Sequence, residues 1–225
     1  MRKEFHRIVF WMTLWNVLDI LMTYFAMPDL YNEANYWVRK LDLGWPGLIT
    51  VLVVWQVIFT LPSIYLCYWN IPVNYNEKIT NYYQLINYYA FRSKKLVILP
   101  NKTQFVLFGK SITNFLGYYC PRYYCTSKVL VTIDNFLRGL IYRDAIHVAK
   151  KDGWTTLTLD TNSFYYKTKI GNMILWYTDL NYSQVLFFQN TILLMLFFIL
   201  LVLFFRKEMQ KINQQHISAP YNTSF

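Results

Sequence analysis

Charge is what this sequence has least of. Only 15% of its 225 residues are Asp, Glu, Lys or Arg, against about 25% in an ordinary soluble domain. With 55% hydrophobic residues beside so little charge, a disordered chain or a coiled coil is excluded. Seven Gly and seven Pro are too few for a collagen-like repeat or a loop-dominated scaffold. The three cysteines, Cys67, Cys120 and Cys125, form no CxxC pair, so a structural zinc site is not expected. Cys120 and Cys125 read as free thiols, since a disulfide between them needs an oxidising compartment. No HExxH, GxSxG, P-loop or Gly-rich dinucleotide motif occurs, and these carry the common catalytic chemistries. His147 stands alone and fits a surface role better than catalysis. Neither a metal nor a cofactor is expected. The Asn-x-Ser/Thr triplets at Asn101, Asn181 and Asn222 are attributed to chance in a chain rich in Asn and Thr.

Apolar and aromatic residues fill the space that charge leaves. Phe, Trp and Tyr make up 20% of the chain, and the mean hydropathy is +0.19. Three segments are long enough to cross the ~30 Å hydrocarbon core at ~1.5 Å per residue. The first, residues 8–26, is too long for a secretory leader, contains Asn16 and Asp19, and lacks a small-residue cleavage site, so it is expected to be retained. The second, residues 48–68, follows the Gly44-Trp45-Pro46-Gly47 break, is flanked by Trp45 and Trp69, and contains Pro62. The third, residues 185–205, has no polar side chain from Leu193 to Phe205 and meets Arg206-Lys207 at its end. Residues 103–120 are left open as a fourth crossing or a re-entrant segment. Lys110 in the middle of that stretch costs roughly 2.5–3.5 kcal/mol on insertion scales.

The fold class expected is a mainly α integral membrane protein with three transmembrane helices and an α+β membrane-associated domain between the second and last. The division expected is a two-helix hairpin over 1–69, a basic Tyr-rich region over 70–184, a transmembrane helix over 185–206 and a polar tail over 207–225. Within the middle region, residues 79–91 read as an amphipathic surface helix and 95–100 as a short strand. Residues 127–151 read as one or two helices, and 154–176 as a meander of two or three strands. Arg2, Lys3 and Arg7 outweigh Arg39 and Lys40, which places the N-terminus in the cytoplasm and the first connection outside, in a multi-pass inner-membrane protein. Three crossings then strand Arg206, Lys207 and Lys211 outside. A fourth over 103–120 brings them in but pushes the basic stretch 121–184 out.

Asn16, Asp19 and Thr23 fall three and then four residues apart, hence on one helix face. A carboxylate in a membrane helix faces a bundle interior or a watery cavity. The first two spans contain no Lys, Arg or His, so Asp19 is expected to be protonated or to face water inside an assembly. Three readings stay open: helix packing, an ion or proton path, and an intramembrane catalytic site. Asn16, Asp19, Thr23 and Ala26, followed by Glu33 and Asn35, form N-x-x-D-x-x-x-T-x-x-A and then E-x-N. Over residues 8–68 this resembles a family of small prokaryotic multi-spanning membrane proteins, a domain of unknown function. The chain departs from the family at Tyr36, where proline is usual, and at Trp55-Gln56, where the second helix often carries Lys. The resemblance implies no particular activity.

The basic, aromatic stretch 118–151 offers Arg122, Lys128, Arg138 and Arg143 as contacts for anionic lipid or, less favoured, nucleic acid. The function expected is that of a non-catalytic membrane protein. It assembles through its spans with its own copies or a membrane partner, and docks a partner or anionic lipid through its basic region. The alternatives are an oligomeric channel or transporter subunit lined by the first helix, and a membrane-tethered nucleic-acid sensor or effector.

Overall fold

A backbone surrounded by hydrocarbon side chains satisfies its N–H and C=O groups within itself, and long apolar runs therefore fold as helices. The computed structural model describes residues 2–30, 38, 40–69, 79–93, 97, 100–151, 154–179 and 182–218. Its helices are α1 (Arg2–Ala26), α2 (Gly44–Ile64), α3 (Tyr82–Phe91), α4 (Lys102–Asp144), α5 (Phe164–Lys167), α6 (Lys169–Thr178) and α7 (Tyr182–Ser218). Strands β1 (Ala145–Lys151) and β2 (Trp154–Leu159) pair antiparallel. Among the described residues three helices are long and apolar enough to cross a membrane: Lys3–Ala26, Gly44–Trp69 and Ser183–Lys211. They are the three segments expected from the sequence.

The middle region departs from expectation in two places. Residues 103–120 and 127–144 are one helix rather than two, and α4 runs straight through Pro121. Proline normally interrupts a helix because it donates no hydrogen bond to the carbonyl four residues back. Here that carbonyl belongs to Gly117, and Ser63 Oγ donates to it at 3.2 Å. The start of α4 is well capped: Asn101 Oδ1 accepts from Gln104 N at 2.8 Å, and Gln104 Oε1 accepts from Asn101 N at 3.1 Å, a reciprocal pair that satisfies two free donors.

The second departure is the sheet. It has two strands, and β1 takes residues 145–151 that were expected to be helical. Ala145-Ile146-His147-Val148 pairs with the Thr-rich β2, with an irregularity between Ala145 and His147. Residues 164–176, expected within the strand meander, fall instead in α5 and α6. Ser163 caps the first, accepting from Tyr165 N, and Thr168 caps the second, accepting from Gly171 N. Such caps outweigh the β-propensity of the aromatic and β-branched residues that follow. A Cβ on Gly171 would lie 2.4 Å from the Phe164 carbonyl oxygen, so only glycine allows the two helices to approach this closely. The strand expected at 95–100 falls on residues of which only Val97 and Pro100 are described, neither of them in a strand. Finally, Arg206-Lys207 ends the apolar run but not α7, which continues to Ser218.

The chain divides into two units. The first comprises Met1–Phe5, Thr60–Arg122 and Leu194–Phe225. Its core is Ile79, Leu85, Tyr88, Tyr89 and Phe204, with Phe115, Tyr118, Phe205 and Met209 packed against it. Here α4 and α7 run antiparallel, with Phe115 meeting Phe204 at 5.4 Å and Tyr119 meeting Phe197 at 5.3 Å between ring centroids. A Cβ on Gly117 would lie 2.5 Å from the Pro62 carbonyl oxygen, so α4 touches the backbone of α2 at that point. The second unit comprises His6–Phe59 and Tyr123–Leu193. It has one cluster around Val38, Leu48 and Leu52, and another around Ile141, Leu159 and Tyr165.

Candidate functional site

The polar face of α1 lies in the second unit and is buried: Asn16, Asp19 and Thr23 are 5%, 4% and 3% exposed. Each has a partner on another helix. Lys128 Nζ of α4 donates to Asp19 Oδ2 at 2.7 Å, forming an ion pair whose side chains are 14% and 6% exposed. Asn135 Nδ2 donates to Thr23 Oγ1 at 2.9 Å and reaches Asp19 Oδ1 at 3.5 Å. Tyr124 OH donates to Asn16 Oδ1 at 2.6 Å and lies 3.3 Å from the Leu52 carbonyl oxygen. Asn16 Nδ2 donates to Gln56 Oε1 at 2.7 Å, and Gln56 Nε2 donates to Thr13 Oγ1 at 2.8 Å.

The spacing of these residues explains the arrangement. Asn16, Asp19 and Thr23 recur at i, i+3 and i+7 on α1, while Tyr124, Lys128 and Asn135 recur at i, i+4 and i+11 on α4. Both sets make single stripes at 3.6 residues per turn. The partners rise together in number, so α1 and α4 run parallel here. The contact continues to the end of α1, where the Phe25 and Phe136 rings stack at 6.0 Å. The Arg143 guanidinium lies 4.3 Å above the Phe25 ring. A Cβ on Gly139 would come within 2.3 Å of that same ring, so glycine permits the approach.

Lys128 corrects the expectation for Asp19. No countercharge exists in the first two spans, but α4 delivers one, so the carboxylate is neither isolated nor left to water. An ion pair in a dry interior offsets its desolvation only when further hydrogen bonds complete it, and Asn135 supplies one. Trp55-Gln56, standing where the second helix often carries Lys, gave no reason to expect a Lys–Asp pair; α4 makes one with Lys128, which overturns that expectation.

The four basic residues singled out as polyanion contacts are placed separately. In the first unit, Arg122 lies 3.8 Å above the Tyr118 ring and donates to the Tyr118 carbonyl at 2.6 Å. In the second, Lys128 holds Asp19 and Arg143 covers Phe25. Arg138 pairs with Asp134 at 3.1 Å, and its Nη1 donates to the Thr178 carbonyl at 3.3 Å, tying the end of α6 to α4. Burial, with the Asp134 carboxylate beside it, pushes the Tyr177 phenol up to about 12, so Tyr177 is neutral throughout the physiological range. Each of the four basic groups is engaged within its own unit.

Gln56 and Asn135 belong to the network and were not read from the sequence as partners of the α1 face, and neither was Tyr124, a residue of the aromatic stretch 118–151. Their signal was present as a polar stripe on α4 matching the one on α1, but a proline inside α4 hid the continuity of the helix. Glu33 and Asn35 lie outside the described residues. Among the described residues, no three His, Cys, Asp or Glu side chains are grouped to hold a metal ion, and no disulfide joins the cysteines. Compared with protein families, curated proteins and solved structures, the chain matches none.

Proposed function

We propose that this chain is a non-catalytic, multi-pass protein of the inner membrane, with its N-terminus in the cytoplasm. In this reading it works by assembly: its spans associate with copies of the chain or with a membrane partner, and its exposed basic residues, Lys102, Lys110 and Lys207 among them, contact anionic lipid. The observation that carries the reading is the closure of the α1 polar face. Asn16, Asp19 and Thr23 meet Gln56, Tyr124, Lys128 and Asn135 within one chain. A face consumed in this way holds helices together and is not free to line a pore, which disfavours the channel reading. The basic side chains proposed for nucleic acid are likewise engaged inside the fold.

What α1 turns outward is apolar. Phe10, Val17, Leu21 and Tyr24 are each 47–60% exposed. On α7, Phe187, Met195, Phe198 and Val202 are exposed by 56–70%. Apolar surface of this extent requires lipid or protein against it, and helix association in lipid proceeds through close packing of such faces. The test is the mass of the protein purified in mild detergent, with the detergent contribution subtracted. A discrete oligomer or a stoichiometric membrane partner supports the reading. A monodisperse, partner-free monomer that does not associate after reconstitution would overturn the assembly role.

A further inference from the structure

We infer that α4 is a fourth membrane-crossing helix, and that its crossing directs the strongly basic segments of the chain to the cytoplasmic leaflet, where anionic phospholipid headgroups are their partner. The inference rests on the membrane reading above and on α1 spanning the bilayer.

The first argument is depth. Asp19 lies near the middle of residues 8–26, and Lys128 Nζ is 2.7 Å from its carboxylate. Whatever depth Asp19 occupies, Lys128 shares. The same holds for Tyr124 beside Asn16 and Asn135 beside Thr23, while Gly139 and Arg143 reach the end of α1 at Phe25. Over residues 124–143, then, α4 accompanies α1 from mid-span to its far end, in the same direction. In the first unit, the preceding turns of α4 pack antiparallel to α7 through Phe115 and Tyr119. With 43 residues, α4 has more than the ~20 that a crossing needs.

The second argument is cost. An unpaired lysine at mid-bilayer costs roughly 2.5–3.5 kcal/mol or more. Lys128 is paired, so the polarity that keeps α4 from reading as an apolar span is largely cancelled inside the protein. Arg138 is offset by Asp134, and Arg122 by a ring and a carbonyl.

The third argument is independent of geometry. Four crossings place residues 1–7, 70–110 and 206–225 on one side, and 27–43 and 144–181 on the other. The first set carries twelve Lys/Arg against three Asp/Glu, the second six against seven. In total the positive-inside rule is then satisfied, with twice as many basic residues inside as outside. With three crossings it fails at the C-terminus; with the fourth placed at 103–120 it appeared to fail in the middle. Moving the crossing to the stretch that contacts α1 removes the conflict, because Arg122, Lys128, Arg138 and Arg143 lie within the crossing helix and no longer count as a loop. The segments on the cytoplasmic side suit a leaflet rich in anionic lipid, at about 1 kcal/mol per basic residue near the surface.

The experiment is single-cysteine labelling of the full chain with an impermeant maleimide, after Cys67, Cys120 and Cys125 are replaced by Ala. Thr103 and Asn162 are both exposed and flank the crossing. Asn162→Cys is expected to label in intact spheroplasts, and Thr103→Cys only after permeabilisation. Labelling of both under the same condition would overturn the crossing. In the unmodified sequence, a C-terminal epitope is expected to survive external protease; digestion would count against four crossings even if the cysteine variants fold poorly. Release of the protein from membranes by alkaline carbonate would instead sink the membrane reading itself. For the headgroup partner, co-purified lipid is expected to be enriched in phosphatidylglycerol over phosphatidylethanolamine relative to the membrane. Enrichment unchanged by replacing Arg92, Lys102 and Lys110 together with Gln would remove that part of the inference.

Discussion

In the unit built from Thr60–Arg122 and Leu194–Phe225, rings do most of the packing: Tyr89, Phe115 and Tyr118 each meet Phe204 at 5.3–5.4 Å. In the unit built from His6–Phe59 and Tyr123–Leu193, one ion pair and a set of hydrogen bonds fix α1 against α2 and α4. The charge differs as sharply. The first unit holds twelve Lys/Arg against three Asp/Glu, and the second ten against nine. Aromatic packing adapts to small changes because rings accept several edge and offset geometries. A buried ionic network does not adapt: it fixes register, and a half-removed pair is worse than none. The comparison teaches that the near-neutral unit is the more specified of the two, since the polar face of α1 finds a named partner for each of its three side chains.

The largest expected effect breaks the specified unit. Lys128→Met leaves Asp19 buried without its countercharge and should cost about 3–5 kcal/mol. It would be read as a lower thermal midpoint in detergent and a loss of folded yield. The double variant Asp19→Leu/Lys128→Met should recover most of that loss. If the single variant melts like the parent, the ion pair does not hold the helices.

Next comes a test that sets the units against each other by volume alone. Gly117→Ala in the first unit drives a Cβ toward a backbone oxygen at 2.5 Å, whereas Gly139→Ala in the second meets the edge of the Phe25 ring. A backbone atom cannot move aside as a ring can. Gly117→Ala should therefore cost about 1–3 kcal/mol and Gly139→Ala less, by thermal unfolding of both variants in one detergent. The reverse order would show that α1 and α4 are the tighter contact.

A smaller effect is expected of Tyr124→Phe, which keeps the ring and removes the donor to Asn16. About 0.5–1.5 kcal/mol should be lost, and more if Asn16 Oδ1 finds no other donor. Phe204→Leu in the first unit keeps an apolar side chain and should be tolerated at under about 1.5 kcal/mol if the site repacks. Of similar size, Arg138→Gln removes the i,i+4 pair with Asp134 and the bond to the Thr178 carbonyl that ties α6 to α4, about 0.5–1.5 kcal/mol, checked by the same melting series.

Part of this was legible before the structure. Asn16, Asp19 and Thr23 stood out because polar groups in an apolar helix must face something other than lipid. Their partners did not, because Tyr124, Lys128 and Asn135 sit among charges that read as a basic surface. Pro121 made α4 look like two helices, and only Ser63, distant in sequence, shows how the freed carbonyl is satisfied. The meander expected over 154–176 gives way to helices after Ser163 because short apolar stretches fit either period, and the caps at Ser163 and Thr168 outweigh β-propensity.

By itself the sequence determined where the long apolar helices lie, since runs of about twenty predominantly apolar residues satisfy their backbone within a single helix. It also determined that α1 carries a polar stripe. The tertiary structure alone decided what that stripe meets, because pairing Asp19 with Lys128 depends on two helices 109 residues apart arriving parallel and in register. Periodicity places a side chain on a face, but only packing chooses the face opposite.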